Sequence, residues 1–272
     1  MIRTSRQKPK PQKKLLRLPW RDILDILALV TWSAMLARYW LGGKLLLLLH
    51  PDYAWLSNVA AIVLVFLAGS QVLRIVRANK RLSDRQLRDT QAADLSHVTL
   101  LPPSLSSALL LAVAVFGLIY TPQAFASDTA TARGISDSLT LTRSQPQRFV
   151  RAASPAERSV IDWIRLVNVY PEPDAYAGEP ASVSGFVMHP DAWPDNYLMV
   201  SRFVLTCCAA DAYPVGLPVK LEDSQSRSDY PIDSWLSVEG EMATEMLENR
   251  RQLAIVPSTL TAIAEPKNPY EY

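Results

Sequence analysis

"YLMVSRFVLTCCAADAYPVGLPVKL", residues 197–221, is an apolar run, a short break and a second apolar run. The break holds the only two cysteines of the 272-residue chain, Cys207 and Cys208, side by side and close to Asp211. Large apolar residues stop at Leu205, and "CAADAYP" ends in residues that favour a turn. Residues 197–206 and 217–221 therefore read as two short strands, joined by a stretch that holds both cysteines.

Similar runs lie on either side. Residues 181–188, 234–242 and 251–263 are short, strand-like and separated by Gly, Pro, Asn and Asp. In 234–242, Leu236, Val238 and Met242 share one face, while Trp235, Ser237, Glu239 and Glu241 share the other. About five strands at this spacing predict a small barrel or sandwich, and an OB-like barrel is the choice. Gly185 and Gly240, inside strand patterns, mark sharp bends or bulges. Before the strands stands "SPAERSVIDWIRLV", 154–167. Ser154 and Glu157 form a capping box with Pro155 at the first helical position, and Val160, Ile161, Trp163, Ile164 and Val167 make a helical stripe. Residues 154–272 are thus expected to be a mainly-β, OB-like domain opened by an amphipathic helix.

The N-terminal part has different chemistry. The formal net charge is only +2, yet Arg3, Arg6, Lys8, Lys10, Lys13, Lys14, Arg17 and Arg21 precede the first acid, Asp22. This basic arm, 1–22, runs directly into an apolar stretch, which favours a cytoplasmic membrane anchor over nucleic-acid binding. Spans are expected at about 23–41, 55–76 and 104–120, within a transmembrane region 23–121. Arg74, Arg77, Lys80, Arg81, Arg85 and Arg88 cluster at the end of the second span and in the loop 77–103. The positive-inside rule puts the N-terminus and that loop in the cytoplasm and everything after Tyr120 outside, with the inner membrane of a bacterium as the location. Arg38 lies near the outer end of the first span, where it can snorkel to the interface.

Residues 122–153, rich in Ser, Thr, Ala and Gln, read as a linker. Ala124 and Ala126 have the spacing of a signal-peptidase site before Ser127, but a cleavable signal is normally N-terminal, so a flexible exit from the membrane is the favoured reading.

The stretches "GFVMHPDAWPDNYLMVSRFVLTCCAADAYPVGLPV", "WLSVEGEM" and "AEPKNPYEY", with "GKLLLLLHPDYAWL" after the first span, resemble a bacterial permease-subunit family. The resemblance covers the first span through Trp55 and nearly all of 154–272. It implies N-terminal transmembrane helices, a C-terminal domain of unknown function and a partner, a polytopic permease of the arsenical-permease-like class. It supplies no substrate and no reaction.

The cysteine pair keeps several readings. An adjacent disulfide needs a cramped ring and is strained. Thiolates with histidine or carboxylate suit zinc or copper(I), and the candidate ligands are Cys207, Cys208, Asp211 and His189, with His50 from the loop after the first span. Against this, neighbouring side chains on a strand point to opposite faces, so the pair must sit at the strand's end. Otherwise one cysteine packs as a small hydrophobe, Asp211 bonds its turn, and His189 is solvated. No H-E-x-x-H, C-x-x-C or G-x-S-x-G occurs, and the 9 glycines form no phosphate loop, so no enzyme is expected.

The sequence therefore points to an accessory subunit of a membrane permease that handles a metal or other soft ion through its outer domain. The alternatives are a stand-alone membrane-anchored metal-binding or thiol-redox protein, and an anchored OB-like module using Trp193, Tyr197 and Trp235. The expected partners are the permease and the lipid bilayer, not nucleic acid.

Overall fold

A computed structural model describes residues 20–84, 103–134 and 154–272. The basic arm and most of the loop 77–103 lie outside the described residues. The chain divides into two compact units, one drawn from residues up to Leu41 and from Leu56–Thr121, the other from Gly42–Trp55 and Pro122–Tyr272.

The first unit is helical. Helices α1 (Trp20–Leu41), α2 (Pro51–Asp84) and α3 (Pro103–Ile119) carry its apolar stretches. Trp20–Leu41 and Pro51–Arg77 are long and apolar enough to cross a membrane; Ser104–Ile119 is apolar but shorter. The polar contacts between α1 and α3 advance in step. Ser107 donates to Asp25, the Trp32 indole to the Leu110 carbonyl (3.0 Å), Arg38 to the Leu118 carbonyl (2.8 Å), and the Tyr39 hydroxyl to the Gly117 carbonyl. The two helices therefore run parallel over roughly 21 Å, the rise of the α1 segment from Asp25 to Tyr39. Ser33, buried, donates to the Ala61 carbonyl of α2 (3.0 Å).

The second unit is built on strands β1 (Pro180–Met188), β2 (Tyr197–Val204), β3 (Tyr213–Lys220), β4 (Trp235–Leu247), β5 (Arg250–Ile263) and β6 (Tyr270–Glu271), preceded by helices α4 (Ser127–Arg133) and α5 (Val160–Val169). The ring β1-β4-β5-β3-β2 closes through a β1–β2 pairing. All its pairs are antiparallel except β3–β5, which meet in parallel at Val219 and Ile255. This is an OB-like barrel, as expected. Strand β6 adds in parallel beside the end of β2.

Gly240 and Gly185 have the expected structural use. The β4–β5 register slips between Glu239 and Gly240, and a Cβ at Gly240 would collide with the Val256 carbonyl. At Gly185 it would collide with the Ser201 carbonyl of β2. Both glycines let backbones approach where the barrel bends.

The imperfect strand alternation also has a cause. Both faces of β2 are buried. Leu198, Val200 and Val204 face the barrel interior with Val215, Leu217 and Val219. Tyr197, Met199 and Phe203 face outward into a second, aromatic cluster with Phe186, Trp193 and Trp235. Helix α5 closes the interior with Val160, Ile161, Trp163 and Ile164. It begins later than the sequence suggests. The Ser154–Glu157 box closes only a single turn, Pro155–Glu157, and the helix starts behind a second box formed by Ser159 and Asp162.

The linker expected from 122 needs correction in its first part. Residues 127–133 form α4, the Ser127 N–H donates to Asp233 (2.7 Å), the Phe125 N–H donates to the Tyr270 hydroxyl (3.2 Å), and the Phe125 ring packs 5.2 Å from that of Phe203. Aromatic burial and these side-chain acceptors outweigh the local polarity. The stretch offered as a cleavage site or flexible exit is folded onto the barrel. The rest of the linker, 135–153, lies outside the described residues.

Candidate metal centre

The break in 197–221 is a tight turn just beyond β2. Asp211 organises it. Its carboxylate accepts the N–H of Cys207 (2.9 Å) and the N–H of Cys208 (3.2 Å), which satisfies backbone donors that the ended strand leaves open. The short helical turn Ala209–Asp211 then leads into β3.

This geometry answers the objection from strand alternation. The cysteines stand past the last paired residue of β2, so the pleat no longer separates them. Their Sγ atoms are 3.8 Å apart. Among the described residues, Cys207, Cys208 and Asp211 bring three metal-capable donors within 4.8 Å of one another. Cys207 is exposed and Cys208 half-buried, and both are free thiols.

The Cys207 thiol is pushed up to about 11, first by its hydrogen bond to the Asp211 carboxylate and then by the Cys208 sulfur. At neutral pH it is a protonated donor to a carboxylate, not a standing thiolate. Such a thiol is a poor nucleophile, and a metal must displace its proton to bind.

His189 does not join this group. Its Nε2 lies 2.9 Å from the Tyr230 carbonyl, at the end of β1, where the Pro190 turn places it. His50 comes close, but through its backbone. Its N–H donates to the Cys207 carbonyl (3.1 Å), the Ala209 N–H donates to the Leu48 carbonyl (2.8 Å), and Leu49 forms a β-bridge with Cys208. The His50 ring is held by other groups, accepting the Asp52 N–H at Nδ1 (3.1 Å) and meeting Tyr272 edge-on at 4.6 Å. Arg133 of α4 donates to the Ala212 carbonyl on the far side of the turn.

Sequence reasoning named the turn but missed its supports. The stretch 41–51, apolar but interrupted by Gly42, Gly43 and Lys44, reads in sequence as an extension of the first helix or as an interfacial segment. Instead Lys44–Leu47 forms a short helical turn, Leu47 is buried in the aromatic cluster, and the next residues bond the cysteine turn. An apolar run of five leucines broken from its helix by Gly42–Gly43 was the available signal.

The aromatic residues proposed for ligand contact are buried. Trp193, Tyr197 and Trp235 lie in the outer cluster, with the Trp193 indole donating to Glu248 (2.8 Å) and the Tyr197 hydroxyl to Glu245 (2.8 Å). They offer no exposed stacking platform.

Barrel, turn and all of α5 but its first residue fall in one matched segment. Residues 161–272 match the family described as the DUF1980 C-terminal domain. The chain is also similar to the UPF0703 protein YcgQ of Bacillus subtilis (strain 168), at 28% identity over 131 residues, 46% of this chain and 45% of that protein. The chain thus spans less than half the length of this relative. Each match is a likeness over part of the chain, and neither name states an activity or a partner.

Proposed function

We propose that the chain is an accessory subunit of a membrane permease, with three spans, a cytoplasmic N-terminus and an extracytoplasmic OB-like domain whose cysteine turn handles a metal or other soft ion. The observation that carries the reading is the seating of the loop between α1 and α2 on that turn. It ties the donor cluster by backbone bonds to the chain that enters both long apolar helices.

The same contact supports the topology. The described residues of 42–55 and 122–272 fold as one unit, which supports a reading with both on one side of the membrane. If α1 and α2 both cross, α3 must cross as well, and in the direction of α1. The parallel α1–α3 contacts agree. Helix α3, with 17 residues, spans roughly 25 Å, a little short of the hydrocarbon core of about 30 Å. The Arg38 bond to the Leu118 carbonyl places the guanidinium where a snorkelling arginine belongs. The outward faces of α2 and α3, including Ile62, Phe66, Leu109 and Phe116, are apolar and exposed, which suits lipid or a polytopic partner. In this reading the chain binds and positions; it does not catalyse.

The test is purification of the full chain from its native membrane in mild detergent, without chelator. Copurification of a polytopic permease together with bound metal is the expected result. Metal on a chain that runs alone would favour the stand-alone membrane-anchored metal-binding protein. Neither partner nor metal would overturn both.

A further inference from the structure

The ion's identity can be narrowed from the spacing of the donors. The argument rests on the ion-handling reading above. Two sulfurs 3.8 Å apart, each about 2.3 Å from a shared ion, subtend an angle of about 111° at that ion. That is the tetrahedral angle. A two-coordinate copper(I) or silver(I) ion draws its two sulfurs to opposite sides, and the turn would have to open to permit it. The third donor, the Asp211 carboxylate, lies within 4.8 Å of both sulfurs. A hard oxygen beside two soft sulfurs suits borderline zinc better than copper(I), which selects thiolate and thioether.

We infer that Cys207, Cys208 and Asp211 form a three-donor tetrahedral site for a divalent zinc-like ion, with the fourth position open to water or to an exchanging ligand. Three protein donors with an open position mark sites that do not seal their metal, whereas structural zinc sites close with four. An open site is the form that an ion-transferring subunit needs. Loading forms two S–Zn bonds and breaks two S–H bonds, and the protons leave to buffer. Asp211 keeps its backbone bonds to the Cys207 and Cys208 N–H groups, because a carboxylate has lone pairs to spare. Those bonds orient the ligand in the way outer partners orient metal ligands elsewhere. Arg133, bonded to the Ala212 carbonyl, brings positive charge beside a site whose three anionic donors exceed the charge of the ion.

The test uses the full chain in detergent, reduced and chelator-free, titrated with cobalt(II) as an optical reporter for zinc. One cobalt per chain is expected, with the strong ligand-field absorption of four-coordinate cobalt, thiolate charge-transfer bands and stoichiometric displacement by zinc. Cys207→Ser and Cys208→Ser should each lose the charge-transfer intensity of one thiolate and bind weakly. Asp211→Asn should lower affinity while keeping both thiolate bands, and His189→Ala should change nothing. Circular dichroism of each variant guards against unfolding. A weak six-coordinate cobalt spectrum without thiolate bands would overturn the site. Stoichiometric silver(I) or copper(I) without zinc would overturn the tetrahedral assignment and leave the soft-ion reading standing. Failure to bind any of these ions would end both.

Discussion

The two faces of β2 are both buried but are covered in different ways. The interior face packs against the other strands and α5, all within 160–255. The outer face is covered by Leu47 from the loop after α1, by Phe125 and Ala130 from the chain after α3, and by Tyr270 and Tyr272 from the C-terminus. The interior is nearly all aliphatic, while the outer cluster is aromatic, with Phe186 and Phe203 stacked at 5.6 Å and Phe125 tilted against Phe203. One face is sealed within 160–255, the other by segments that flank the apolar helices and by the C-terminal residues. The interior is thus the stability core of the outer unit. The outer face is a joint between distant segments of this one unit, and the cysteine turn, flanked by its members Leu205 and Ala212, sits at its edge.

The largest effect is expected inside. Trp163 is fully buried, meets Tyr176 edge-on at 6.2 Å and lies under the Arg158 guanidinium. Trp163→Ala should cost about 4 kcal/mol, enough to unfold much of the barrel. Among the described residues the indole Nε1 has no hydrogen-bond partner, so Trp163→Phe keeps most of the packing and should cost far less. Thermal unfolding of the full chain in detergent, followed by protease resistance of the outer unit, measures both.

Next comes the ion pair where the C-terminal strand meets α5. Glu271, almost fully buried, accepts the Ile161 N–H (2.7 Å) and pairs with Arg202 (3.4 Å). Glu271→Ala leaves the Arg202 charge buried without its carboxylate and should cost about 3 kcal/mol. The pH dependence has a definite sign. Burial pushes the Glu271 carboxyl above the usual carboxylate range, and the Ile161 N–H and Arg202 pull it back only in part. The folded state therefore holds this proton more tightly than the unfolded one. Its stabilising contribution is full below the ordinary carboxylate range and is lost as pH rises through the raised value. Unfolding temperature should fall over that window, and Glu271→Gln should flatten the slope. A slope of opposite sign would mean that Arg202 outweighs burial.

Leu47 tests the joint directly. Leu47→Ala should cost about 2 kcal/mol, half the effect of Trp163→Ala. Hydrogen exchange should quicken in 44–50 and in the cysteine turn while the amides of β3 and β4 stay protected. Equal losses from Leu47 and Trp163 would make the two faces one cooperative unit and break the comparison.

The division between faces also explains what could be read in the sequence. The five strands, α5's stripe and the bends at Gly185 and Gly240 follow from local pattern, and the interior obeys that pattern. The cysteine turn was legible as a turn because apolar residues stop at Leu205. The outer face was not legible, because its cover comes from distant segments with no period of their own. Phe125 sits in a Ser, Thr and Ala-rich stretch that resembles a linker, and Leu47 sits in a run that resembles a helix end. His189 is a candidate ligand by its chemistry alone, and its ring lies against the Tyr230 carbonyl at the end of β1. Nothing local signals the Phe125 or His189 pairing, and for Leu47 only the Gly42–Gly43 break in its apolar run does.

The smallest effect separates two jobs of one residue. Asp211 caps the turn through the Cys207 and Cys208 N–H groups, and its carboxylate also accepts the Cys207 thiol. Asparagine keeps one carbonyl acceptor and loses the charge. As a cap, Asp211→Asn should cost only about 1 kcal/mol, spread over a turn that the Leu49–Cys208 bridge also holds. The Cys207 thiol should respond more strongly. Without the carboxylate to accept its proton, it falls back toward the ordinary thiol range, and alkylation near neutral pH should accelerate in the variant. A large loss of stability with unchanged alkylation would make Asp211 a structural cap and nothing more. A small loss with faster alkylation would mean that the carboxylate governs the thiols, which is what a donor set at the edge of the joint requires.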